Sequence, residues 1–256
     1  MNRVTLEVCV DSLESAQAAV DGGADRLEVC GSLGAGGGIT PSIGLVNILR
    51  KRFPTVPLMV MVRPRSGDFC YSDEEIAIML EDIVAVRQAG AAGVVLGALT
   101  TEGLVDIART MRLATAAHDM EVTFHRAIDM TPDFAQAFED ISKIPLITRV
   151  LTSGGAIGVV DGLDAIRALK GIPGPAVLPG SGINENSAAA VLEGLYDLGV
   201  RELHMSGGQW CDGLSEARPD NGIDMGGWRV WRTEADRVRA VREIANATIS
   251  QLSKPR

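Results

Sequence analysis

Two thiols and a set of charged side chains occupy positions in this chain where structure alone would place Val, Ile or Leu. Cys9 and Cys30 close two short apolar runs that copy one another, Leu6-Glu7-Val8-Cys9 and Leu27-Glu28-Val29-Cys30. On adjacent parallel strands, about 4.8 Å apart, thiols at matched positions point the same way. Such a pair suits a soft cation: Cu(I) favours thiolates, whereas structural zinc takes four nitrogen or sulfur ligands. His125 or His204 offers a further donor, although neither stands at metal-ligand spacing from the cysteines. The plainer role for a cysteine is that of a small buried hydrophobe. Cys70, beside Phe69 and Tyr71, and Cys211, beside Trp210, read as incidental thiols.

A second set suits acid–base work on an anion. Glu28, Arg63 and His125 stand at or near the ends of apolar runs, and Asp129 follows four residues after His125. Glu28 and His125 form a candidate acid–base pair, Arg63 a holder of negative charge, and Asp129 an orienting group. Buried charges are costly unless paired, so Glu7, Glu28 and Arg63 are expected to neutralise one another. Three stretches of small residues offer backbone amides to an anion: Thr152-Ser153-Gly154-Gly155, Pro179-Gly180-Ser181-Gly182 and Ser206-Gly207-Gly208. From these, Ser153, Gly154, Gly180, Gly182, Ser206 and Gly207 are the candidate anion-binding residues; glycine in tight turns is their simpler explanation. The glycine-rich stretch from Gly31 to Thr40 reads as a flap. His118, near a helix end, reads as a solvated cation at a helix C-terminus.

The elements that must hold these side chains alternate eight times. Apolar or β-branched runs cover Val4 to Val10, Arg26 to Cys30, Pro57 to Val62 and Gly93 to Gly97. Four more cover Glu121 to His125, Ile147 to Thr152, Ala176 to Pro179 and Glu202 to Ser206. Each is followed by a stretch with apolar residues at helical spacing. One such helix spans Pro41 to Lys51, with Thr40 expected as its N-cap and Pro41 in its first position. Eight strand–helix units in 256 residues match an α/β fold of the TIM type, a (β/α)8 barrel in a single domain. A doubly wound open sheet is the alternative, but no dinucleotide fingerprint follows the first strand. Strand alternation puts Glu7 and Cys9 on the barrel interior, with Glu121, Thr123 and His125, and with Glu202, His204 and Ser206. The stretch 209–232, with Trp210, Trp228 and Trp231, extends beyond a compact barrel ending, as a lid, an oligomer contact or a surface insertion.

Composition narrows the function. Lys plus Arg is 24 against 33 for Asp plus Glu, a formal charge of −9. A nucleic-acid partner needs a basic face, which this balance does not provide. No apolar run reaches the roughly 18–20 residues of a membrane span. The N-terminus runs into the first strand without a signal-peptide core, and four cysteines are too few for a disulfide scaffold. Both observations point to the cytoplasm, with the cysteines as thiols.

The longer motifs carry a resemblance. Leu6-Glu7-Val8-Cys9-Val10-Asp11-Ser12, Gly22-Gly23-Ala24-Asp25-Arg26-Leu27-Glu28-Val29-Cys30 and Gly37-Gly38-Ile39-Thr40-Pro41-Ser42 occur in order. Val62-Arg63-Pro64-Arg65-Ser66-Gly67-Asp68-Phe69, Thr123-Phe124-His125-Arg126-Ala127-Ile128-Asp129 and Arg149-Val150-Leu151-Thr152-Ser153-Gly154-Gly155 follow. Together they closely resemble the CutC family of copper homeostasis proteins. The resemblance implies a (β/α)8 barrel, a cytoplasmic home, assembly as a dimer or tetramer, and Cu(I) binding with the family's two cysteines falling on Cys9 and Cys30. The expected partner is therefore a copper ion; the competing expectation is an enzyme acting on a small anionic metabolite, such as a phosphorylated one, at the C-terminal rim of the barrel.

Overall fold

The structure is a computed structural model that describes residues 3–218 and 227–254. Short strands alternate with helices along the chain: β1 (Thr5–Val10), α1 (Leu13–Asp21), β2 (Arg26–Val29), α2 (Leu33–Gly36), α3 (Ile43–Arg52), β3 (Leu58–Met61) and α4 (Asp73–Gln88). Then come β4 (Gly93–Leu96), α5 (Ile107–Ala116), β5 (Glu121–Phe124), α6 (Phe134–Ser142), β6 (Arg149–Thr152), α7 (Leu163–Arg167) and β7 (Ala176–Pro179). The chain finishes with α8 (Ala188–Leu195), β8 (Glu202–Met205), β9 (Gly208–Asp212), β10 (Arg229–Thr233) and α9 (Ala235–Leu252). A 3-10 turn, Arg126–Met130, follows β5 directly.

Local chemistry starts the helices where they start. Ser12, Ser42, Asp106 and Asp133 each accept a hydrogen bond from the backbone N–H three residues on, the N-cap arrangement. Ser72 and Glu75 complete a reciprocal capping box at α4. The expected start of α3 is corrected: Ser42 is its cap and Pro41 lies outside it. Thr40 is engaged elsewhere, because its hydroxyl accepts from Arg63 N at 2.9 Å and donates to Arg63 O at 3.1 Å. His118, exposed and at positive φ, follows the end of α5 as expected.

The eight strands form one parallel sheet in the order β7-β6-β5-β4-β3-β2-β1-β8. Pairing of β1 with both β2 and β8 curls this sheet into a barrel. β7 and β8 lie alongside each other but share no ladder, leaving a seam. Leu6, Val8, Val10, Leu27 and Val29 face outward into the continuous core beneath the helices. Cys30, Met59, Met61 and Val95 instead pack together in a separate inner cluster.

After β8 the chain leaves the barrel as an antiparallel ribbon, β9 with β10, in which Trp210 stands opposite Trp231. The ribbon packs on α1 and α2. Of the 209–232 stretch, residues 219–226 lie outside the described residues. The Gly31 to Thr40 stretch holds α2 and is pinned at its base by a bridge between Gly31 and Ile39.

Candidate functional site

The lower interior of the barrel is an ion-pair ladder. Arg26 on β2 donates to Glu7 on β1 and to Glu202 on β8, and Arg149 on β6 donates to Glu202 and Glu121. Glu7 also meets His204 Nδ1 at 2.8 Å. These pairs follow from register, which sets Glu7 beside Arg26 on one side and His204 on the other. The expected mutual neutralisation of Glu7, Glu28 and Arg63 is therefore corrected. Glu7 lies one inward step below Glu28 and takes its countercharge from Arg26 and His204. Arg63, at the top of β3, donates to the Gly38 and Gly67 carbonyls and lies 4.7 Å from the centre of the Phe69 ring.

Above the ladder, Cys9, Glu28 and His204 come together, with Sγ, a carboxylate oxygen and an imidazole nitrogen all within 4.8 Å of one another. Register sets Cys9 beside Glu28, so Cys30 stands two residues further on, just past the end of β2, and the thiols do not occupy matched positions. Cys30 interacts with the Glu28 carboxylate and packs with Met59 and Met61.

The electrostatics follow from burial and these neighbours. Burial raises the Glu28 carboxyl to about 7, against the pull of His204. Burial pushes Glu7 up as well, but the hydrogen bond from His204 and the Arg26 charge outweigh it and hold Glu7 at about 2. Burial works against the His204 imidazolium, yet Glu28, Cys9 and Glu7 raise it well above its ordinary value. Burial pushes both thiols up, Cys30 further because Glu28 adds to it, Cys9 less because His204 opposes it. His125 moves the other way: burial and then the Arg63 charge lower it to about 3. Its Nδ1 accepts from Ala127 N at 3.3 Å, which leaves the proton of the neutral ring on Nε2.

A cavity of about 380 Å³ opens at the C-terminal mouth of the barrel, the end where barrel sites are built. Cys9, Glu28, Arg63, His125 and His204 line it, with Gly182 and Ser206 at the rim and Trp231 of the ribbon at one side. The other candidates are engaged elsewhere. Asp129, in the turn after β5, is spent on the loop after β6 and on its own turn, accepting from Ser153 N, Ser153 Oγ, Gly155 N and Arg126 Nε. Gly154 N is bound to Thr152 Oγ1, so the Ser153-Gly154 turn already holds an anion, the Asp129 side chain. Gly180 permits close packing, since a Cβ there would lie 2.6 Å from Leu151 and 3.2 Å from His204. Gly207 is not part of the cavity lining, and a Cβ there would meet Val238, Met205 and Thr233.

Sequence reasoning left Arg26 and Arg149 without roles and offered His204 only as a further metal donor. Arg26 is in phase with Glu28, two residues on, and that parity was its available signal.

A model described as the CutC family matches residues 4–209, about four-fifths of the chain. The chain belongs to the CutC family. A CutC family protein of Rhizobium meliloti (strain 1021) is 40% identical over 251 residues, covering 96% of this chain and 98% of the relative. A copper homeostasis protein cutC homolog of Caenorhabditis elegans is 42% identical over 193 residues, covering 75% of this chain and 76% of the relative. Among solved structures, a CutC protein from Streptococcus agalactiae superposes with a TM-score of 0.72 at 26% identity, covering 79% of this chain and 98% of that one. A thiamine phosphate pyrophosphorylase from Pyrococcus furiosus, at 16% identity and a TM-score of 0.59, shares the fold alone. The family match stops where the ribbon begins, so β10 and α9 lie beyond it. No helix among the described residues is long and apolar enough to cross a membrane.

Proposed function

We propose that this member of a copper homeostasis family binds Cu(I) at the barrel mouth through Cys9, with His204 beside it and Cys30 as the second thiol. The observation that carries the reading is the convergence of Cys9, Glu28 and His204 within 4.8 Å. The donor chemistry fits a soft ion: thiolate and thioether sulfur select Cu(I), and imidazole accepts it. Met61, also lining the cavity, adds a thioether beside Cys30. Zinc is the ion to exclude, because Cys, His and Glu are its ligands too.

Binding must displace a proton from Cys9, whose burial favours the thiol, and another from His204, which carries its charge in the metal-free site. Glu28 lies within 4.8 Å of both and can accept a displaced proton. Cu(I) affinity therefore rises with pH, by up to about tenfold per pH unit for each proton released.

The test is an anaerobic Cu(I) titration against a competing chelator, repeated with Zn(II). One equivalent bound tightly, lost in a Cys9→Ser/Cys30→Ser double variant and weakened in His204→Asn, is the expected result. Retention of Cu(I) by the double variant, or a preference for Zn(II), overturns the reading. A cytoplasmic location and assembly as a dimer or tetramer belong to the same proposal, the first supported by four free cysteines. Light scattering checks the second, and a monomer at working concentration removes it.

A further inference from the structure

Besides Trp231 Nε1, two polar atoms on side chains that line the mouth cavity have no hydrogen-bond partner among the described residues: His125 Nε2 and Glu28 Oε1. Both side chains are almost wholly buried, His125 at 3% and Glu28 at 3% exposure. An unpaired buried polar group is costly, so two such atoms in the wall of one cavity, shielded until a side chain turns, point to what the cavity is built to hold. Their roles are set by their other contacts. His125 uses Nδ1 as an acceptor, so Nε2–H is a donor in search of an acceptor. Glu28 faces His204 with Oε2 at 3.6 Å, which leaves Oε1 to accept from a hydroxyl.

The rest of the wall narrows the ligand. The Arg63 guanidinium lines the cavity on the same side as Phe69, whose ring centre is 4.8 Å from that of His125. A positive charge beside the Nε2–H donor selects an anionic oxygen at that end. Met61, Phe69 and Leu151 supply apolar wall between the polar points. A volume of about 380 Å³ exceeds what a single bridging water needs and lies within the range of small-molecule sites.

We propose that the mouth cavity binds a small hydroxycarboxylate, its carboxylate against His125 Nε2–H and Arg63 and its hydroxyl donating to Glu28. This goes beyond the copper reading, which uses neither His125 nor Arg63.

The test uses metal-free protein at pH 7.5 with glycolate, lactate and malate as probes, followed by calorimetry and by the imidazole nitrogen signals in NMR. Acetate lacks the hydroxyl and ethylene glycol lacks the carboxylate. At least one hydroxycarboxylate is expected to bind saturably and to shift the His125 Nε2 resonance, with both controls at least about fivefold weaker. His125→Phe, which keeps a ring and removes the donor, should weaken binding by about 5- to 10-fold. His125→Gln, whose side-chain amide restores an N–H, should recover part of the loss. Circular dichroism melts and an unchanged Cu(I) titration show that these variants are folded. Cys9→Ser should lose Cu(I) and keep the hydroxycarboxylate, so the two readings fail separately. The absence of saturable binding by all three probes, or equal binding by His125→Phe, overturns the proposal.

Discussion

At the scale of single residues, the barrel interior is a set of charges whose protonation is decided by burial and neighbours. Glu7 is held at about 2 against an ordinary 4.5, so its carboxylate stabilises the fold fully above pH 4.5 and ceases to do so as pH falls toward 2. Glu7→Gln strands Arg26 and His204 without their shared countercharge and should cost about 3–5 kcal/mol in urea denaturation at pH 7. His125 and Glu28 act on pH in opposite senses. His125, at about 3 when folded and 6.5 when free, takes up a proton on unfolding, so its contribution rises with pH between those values. Glu28, raised from 4.5 to about 7, releases a proton on unfolding, so its contribution falls as pH rises across that span. Between pH 4.5 and 6.5 the two slopes oppose each other, each approaching about 1.4 kcal/mol per pH unit. Urea titrations across this window should show stability falling with pH in His125→Phe and rising with pH in Glu28→Gln; parallel slopes in the two variants would show that neither group titrates as described. Glu28, Arg63 and His125 are legible in the sequence because each puts a charge or imidazole in phase with the interior face of an apolar run. The company that His204 keeps is not legible in the same way. Its contact with Glu7 spans 197 residues and exists only because the barrel brings β8 back to β1.

At the scale of elements, loops are secured by side chains whose types suggest ligand binding. Asp129 reads in the sequence as an orienting group for the candidate acid–base pair, four residues after a histidine, but its oxygens hold the turn after β6 together. Asp129→Ala should therefore destabilise by about 3 kcal/mol or more, through several orphaned donors, while the folded fraction keeps whatever Cu(I) affinity the parent protein shows. Loss of Cu(I) binding at unchanged stability would return Asp129 to the site. The same turn is closed from the other side by glycine: a Cβ on Gly162 would lie 1.8 Å from Ser153 O, and one on Gly154 would lie 2.3 Å from Gly162 O. Strand and helix positions were readable because a period of two and a helical period are both explicit in the apolar pattern, and the strands match to within about a residue or two. Thr40 shows where that reading fails. A threonine before a proline is a good local helix start, but the tertiary contact with the Arg63 backbone is the one it makes, and Ser42, two residues on, starts α3 instead.

At the scale of the whole molecule, the seam between β7 and β8 has a sequence cause. Ala176 N donates to Thr148 O, just before β6, and Gly180 N to Thr152 O at its end, so strand alternation turns Val177 and Pro179 toward the seam. Proline has no N–H to offer there, which favours an edge rather than a ladder. The Val177 amide is thus without a ladder partner on β8 and should exchange with deuterium orders of magnitude faster than the Val150 amide on β6, as read by residue-resolved exchange. Equal protection would mean that the barrel closes in solution. The pattern of eight units was enough to read the barrel; the seam was hidden, because it depends on which way the Pro179 nitrogen points. The ribbon carries a consequence of another kind. The chain has three tryptophans, and Trp210, Trp228 and Trp231 all lie in β9, in β10 or just before it. Trp231 walls the mouth cavity and meets Trp210 edge to face, with ring centres 5.8 Å apart. The intrinsic ultraviolet emission of the protein therefore comes from its doorway and not from its core, so a change in emission on adding a metal or a metabolite reports events at the entrance without any attached dye.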